Sequence, residues 1–126
     1  MGRQAFQPEG VATPKAPYSP VIVSGDLVVT AGQVAFDEDG NVVGDTIEAQ
    51  TRQTLENVGR CLAAAGCGFE DVIKINAYIT DMANFAGFNG VYRDYFAEPY
   101  PVRTTVQAGL APGLLIEIEG TARKSG

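Results

Sequence analysis

Between Asp45 and Gly66 the apolar residues Leu55, Val58, Leu62 and Ala65 recur at helical spacing, while the chain on either side runs in short β-branched segments. A chain that switches period from two to about 3.6 and back is confined to folds that pack helices on a sheet. Asp45 with Thr46-Ile47-Glu48 reads as an Asp-x-x-Glu variant of the capping box that opens the helix, and Gly66 closes it. Upstream, residues 20–24 and 27–31 flank Gly25-Asp26 as a hairpin does, with Gly32-Gln33 interrupting the second run. A short third run, Asn41-Val42-Val43, follows the turn ending in Asp39-Gly40. Downstream, Ile73, Ile75, Ala77 and Ile79 alternate with more polar residues as in a half-buried strand.

Asp81 and Asn84 can cap a second helix, which Pro99 and Pro101 terminate. Its Phe85, Phe88, Tyr92 and Phe96 share one face, and the stripe reads as core. Two further strands, 102–108 and 114–121, close the chain. The order β-β-β-α-β-α-β-β predicts an α+β fold in which one sheet is covered on one face by two helices, and 126 residues fit a single domain, 1–126.

Composition removes several function classes. No apolar run is long enough to span a bilayer, and the first residues contain no apolar h-region, so the expected location is cytoplasmic, away from membranes. A net charge of −6 is the reverse of the basic footprint that nucleic acid requires, so no nucleic-acid partner is expected. The chain has no histidine, which removes the usual general base and leaves Cys61 and Cys67 without the partners of a zinc site. Those cysteines read as reduced thiols, and neither metal nor other cofactor is expected. Acid–base chemistry then falls to carboxylates, Tyr, Lys, Cys or water.

Charges stand out on the last two strands. Arg103, Thr105 and Gln107 alternate with Val102, Thr104, Val106 and Ala108, while Glu117 and Glu119 alternate with Ile116 and Ile118. Were both strands in one sheet, one guanidinium and two carboxylates would share its polar face. Read from the pattern alone, such a face meets water and carries cross-strand ion pairs. The sheet's second face also carries apolar residues, such as Val28, Ala31 and Tyr78, and an exposed apolar face usually marks an interface. Arg103 at a subunit boundary would need a carboxylate to satisfy its five donors, which makes it a natural clamp for a planar anion.

The string Pro101-Val102-Arg103-Thr104-Thr105-Val106, then Gly109-Leu110 and Ile116-Glu117-Ile118, resembles the C-terminal signature of the RidA/YjgF family of enamine/imine deaminases, also described as endoribonuclease L-PSP proteins. The resemblance runs through nearly the whole chain, with Ala16-Pro17-Tyr18-Ser19, Thr30-Ala31-Gly32-Gln33, the stretch Gln50 to Asn57, and Phe88-Asn89-Gly90-Val91-Tyr92 matching in order. It implies a chorismate-mutase-like fold assembled as a homotrimer with three inter-subunit clefts. It also implies hydrolysis of 2-aminoacrylate-type enamines, or their 2-iminopropanoate and 2-iminobutanoate tautomers, to 2-keto acids and ammonia without a cofactor.

Residue by residue, the resemblance makes Arg103 the holder of the substrate carboxylate and Glu117 the group that positions or activates water. Tyr18 and Asn89 match cleft-lining positions, and Gly32 and Thr105 match positions whose backbone faces the ligand. Two positions depart: many members carry a small hydroxyl residue where this chain has Ala31, and a cysteine where it has Thr105. Glu119 is left to the solvated face. Two other functions share these residues, a non-catalytic trimer that senses keto acids and an endoribonuclease. The acidic charge and the missing histidine oppose the second.

Overall fold

The computed structural model describes residues 2–125; Met1 and Gly126, the ends of the expected 1–126 domain, lie outside the described residues. The elements in order are β1 (Gln4–Phe6), β2 (Val21–Ser24), β3 (Leu27–Thr30), β4 (Gln33–Val34), α1 (Ile47–Ala64), β5 (Val72–Ile79), α2 (Phe85–Tyr92), β6 (Val102–Gln107) and β7 (Ile116–Arg123). The strands form one mixed sheet in the order β1-β2-β3-β7-β5-β6, with β4 pairing onto β7. Every pairing is antiparallel except β5 with β6, whose parallel register demands a crossover; α2 supplies it.

Both helices cover the same face, so the fold is α+β as expected. Leu55, Val58, Cys61 and Leu62 of α1 and Phe88 and Tyr92 of α2 bury against Val21, Val28, Ile75, Ile79, Ile116 and Ile118 of the sheet. The period-3.6 pattern therefore reads the core side of α1 correctly, and Gly66, at φ +83°, ends the helix in the left-handed conformation that glycine adopts without a Cβ clash.

Several boundaries move. Thr46, not Asp45, is the N-cap of α1, its Oγ1 accepting from Ala49 N at 3.1 Å. Residues 41–43 make only an isolated bridge, Phe36 to Val42, and the short β1 and β4 carry too few residues to show a period. The helix α2 stops at Tyr92, before either proline, although turns carry the chain on so that Phe96 still stacks on Tyr92, ring centroids 4.5 Å apart. A bulge between Val72 and Lys74 turns Ile73 outward, leaving Ile75, Ala77 and Ile79 to the core. Val28 is fully buried beneath the helices, and Val29 takes the outward position expected of it. The open face thus carries Leu27, Val29, Val102 and Val106 as exposed apolar side chains around the partly buried Tyr78.

Candidate functional site

Arg103 is the second residue of the edge strand β6, in register with Ile75 of β5, whose other neighbour is Gly120 of β7. Ile75 is a core residue, so Arg103 points to the helix-covered side of the sheet. An arginine is tolerated there because the strand is an edge and its long stem can bring the guanidinium out beside α2. The guanidinium carbon sits 4.9 Å from the ring centroid of Phe88, 4.7 Å from that of Tyr92 and 5.6 Å from that of Phe85. The aromatic stripe read as core is therefore also a platform for the cation. The salt bridges among the described residues, Arg52 with Asp94 and Arg123 with Asp26, leave Arg103 without a carboxylate. Burial lowers its pKa, the neighbouring Tyr92 opposes that shift, and Arg93 adds to it.

A cavity of about 290 Å³ opens beside this guanidinium, lined by Asn89, Tyr92, Arg93, Tyr100, Pro101 and Arg103. Thr105 follows on the same face of β6, in register with buried Ala77, and its buried Oγ1 has no hydrogen-bond partner. The buried Tyr92 hydroxyl has none either, and burial pushes its pKa up to about 12. The structure thus brings Arg103 and Asn89 together on one cavity wall, with Thr105 next along the same face of β6 but not among the lining residues.

Glu117 belongs to a different place. In β7 it pairs with Tyr78 of β5 and Val34 of β4, on the face the helices leave open. Its carboxylate lies over Gly32, where an added Cβ would fall 2.8 Å from Cδ of Glu117; only glycine permits that approach. Gly32 and Tyr18, which is 57% exposed, line a second cavity of about 390 Å³ with Gln33, Val34, Phe36 and Asn57. Burial raises the pKa of Glu117, and the charge of Glu119 raises it further. Glu119 is not a free solvated carboxylate: the Tyr78 hydroxyl donates to its Oε1 at 3.1 Å, and Asn76 Nδ2 to its Oε2 at 3.3 Å.

The expectation that Arg103, Glu117 and Glu119 share one polar face is wrong. The two strands are in one sheet, but β5 lies between them, and the parallel β5–β6 register turns the odd-numbered residues of β6 inward while those of β7 turn outward. Within one chain there are two half-sites, Arg103 with Asn89 and Thr105, and Glu117 with Gly32 and Tyr18. Polarity alone cannot orient an edge strand whose polar and apolar residues are both half-exposed. Sequence reasoning also missed the Tyr78–Glu119–Asn76 cluster and the ring platform, although the spacing of Phe85, Phe88 and Tyr92 held the signal for the latter.

Other features offer less. A wide-open cleft of about 820 Å³ lies between Glu9, Asp37, Glu38 and Arg60, but Arg60 is already committed to the carbonyl of Gly10 at 3.0 Å. Among the described residues no group of three His, Cys, Asp or Glu side chains is placed to hold a metal ion, and no helix is long and apolar enough to cross a membrane. Burial pushes the Cys61 thiol up to about 12, which suits a packing role rather than a nucleophile.

Known proteins share this fold along nearly the whole chain. A RutC family protein of Pyrococcus horikoshii is 43% identical over 118 residues, covering 92% of this chain and 94% of that protein. Among solved structures, a Rid family protein from Yersinia pestis superposes with a TM-score of 0.92 at 32% identity, covering 98% of this chain and all of the other. Escherichia coli TdcF, solved with bound serine, superposes with a TM-score of 0.89 at 33% identity, covering 97% and 99% of the two chains. The model of the family described as endoribonuclease L-PSP matches residues 10–124, and the chain belongs to that family, the RidA/YjgF group that its sequence resembles.

Proposed function

We propose that the protein is an enamine/imine deaminase that hydrolyses 2-aminoacrylate-type intermediates to 2-keto acids and ammonia, working as a homotrimer with a cleft at each subunit boundary. The observation that carries this reading is the half-buried Arg103 guanidinium, stacked on three rings and left without a carboxylate of its own. Stacking occupies the faces of the fork and leaves its N–H edges to bind a planar carboxylate in a bidentate manner. TdcF with bound serine supports a small carboxylate as the ligand class.

The two half-sites support assembly. Arg103 and Glu117 lie on opposite faces of one sheet, so they meet only when a second copy brings its Glu117 half to the first copy's Arg103 half. The exposed Leu27, Val29, Val102 and Val106 give the open face an apolar surface suited to burial in such a contact.

In the composite cleft Arg103 holds the carboxylate, with Asn89 and the backbone around Thr105 beside it. Glu117 takes a proton from water as the oxygen bonds to the imine carbon; its raised pKa strengthens it as a base near neutral pH. Glu117 passes that proton to nitrogen; as the carbon–nitrogen bond breaks, the adduct hydroxyl gives up its own proton through Glu117 to the departing nitrogen, which leaves as ammonia while the carbon becomes the keto carbonyl. Tyr18 and Gly32 border the water side, and no step requires histidine or a cofactor.

The test is ammonia release from 2-aminoacrylate generated by a serine dehydratase. Arg103→Ala should lose about a hundredfold or more of the catalysed rate, because a charge-assisted bidentate contact is removed from a water-poor site. Unchanged turnover in that variant would sink the proposal. Tight keto-acid binding with no ammonia release from the wild type would favour the sensing trimer instead.

A further inference from the structure

The cavity beside Arg103 contains a second cation. Arg93, the residue that ends α2, lines it together with Asn89, Tyr92, Tyr100, Pro101 and Arg103. No carboxylate is among these residues, although the chain as a whole carries a net charge of −6. A cation at a helix C-terminus is ordinarily explained by the macrodipole. That explanation does not account for its placement on the wall of a cavity already holding a guanidinium, where the two like charges repel. Arg93 forms no salt bridge among the described residues, whereas its neighbour Asp94 is taken by Arg52 at 3.2 Å. Tyr92, whose buried hydroxyl has no hydrogen-bond partner, belongs to the same wall.

We infer that this cavity selects a substrate with two anionic groups, a four- or five-carbon 2-imino dicarboxylate, with Arg103 on the carboxylate next to the imine and Arg93 on the distal one. The inference rests on the deaminase reading for the word substrate, but its electrostatic content concerns only which anion the cavity prefers. Within one chain no acid lines this cavity, so half-buried Arg103 and exposed Arg93 repel each other across it; a dianion offsets both charges at once, whereas a monoanion leaves one uncompensated. The reaction balances as for a monocarboxylate, with water oxygen joining C2 and ammonia leaving. The distal carboxylate takes no part in bond making. The source of such a substrate would be an enzyme that oxidises an acidic amino acid or dehydrates its 3-hydroxy derivative.

Calorimetric titration with two stable keto acids of equal chain length, 2-oxoglutarate and 2-oxopentanoate, tests this without needing turnover. The dicarboxylate should bind about tenfold or more tightly at low ionic strength, the preference should collapse in Arg93→Ala, return in part in Arg93→Lys and reverse in Arg93→Glu. Equal affinities in the wild type, failure to bind either acid, or a preference that survives Arg93→Ala would overturn it. Ammonia release measured alongside separates the two claims: turnover without dianion preference refutes only this inference, and dianion preference without turnover refutes only the deaminase reading.

Discussion

Glu117 is a carboxylate whose charge state the fold controls. Burial first and Glu119 second raise its pKa, so the rate of a reaction that uses it as a base should climb through a limb displaced above the ordinary carboxylate range. Glu119→Gln removes the like charge and should shift that limb of the kcat/KM profile to lower pH; a limb that stays in place would show that Glu117 is not the titrating base. The stability sign follows from the same shift. A carboxyl with a raised folded-state pKa costs stability once it is ionised, so Glu117→Gln should raise the melting temperature at neutral pH, with the gain vanishing below the unfolded-state pKa. Gly32→Ala should leave the fold intact, because the new Cβ meets the mobile end of Glu117, while ammonia release falls about tenfold or more as the carboxylate is displaced. As candidates, Arg103, Glu117, Gly32, Tyr18, Asn89 and Thr105 were legible in the sequence through spaced motifs. Which of them face each other was not, because side-chain direction in β6 depends on a pairing register set by residues of another strand.

At the scale of elements, α1 does more than bury an apolar stripe. Gln50 is fully buried, donates to the carbonyls of Gly44 and Gly113 at 3.0 and 2.8 Å, and accepts from Leu115 N at 2.8 Å. One side chain thereby satisfies three backbone groups in two loops that flank the sheet. Gln50→Ala should cost about 3 kcal/mol in urea unfolding, since the loops lose partners that water reaches poorly. Asn57 acts likewise, its Nδ2 donating to Val34 and Phe36 carbonyls at 3.0 and 2.9 Å, which ties β4 and the turn at Gly32 to α1. The helical period announced α1 plainly. Its buried polar positions were hidden because their partners lie far away in sequence, and the outward turn of Ile73 was hidden because a bulge leaves no mark in an alternating pattern.

For the whole molecule, the proposed assembly through the open face is what would join the two half-sites. Val102 is 67% exposed on that face, so Val102→Asp should keep the chain folded by circular dichroism yet reduce it to monomers in sedimentation, with loss of activity. A folded, active monomer would separate function from assembly. The layered α+β fold was written in the alternation of periods, whereas the oppositely facing half-sites emerge only from the order of strands across the sheet. The most direct measurement mixes the two inactive variants Arg103→Ala and Glu117→Gln, dissociating and reassembling them together before assaying ammonia release. In a cyclic assembly whose every cleft takes its arginine from one copy and its glutamate from the next, an equal mixture should recover about one quarter of wild-type activity. No recovery from well-formed mixed assemblies would contradict the composite site.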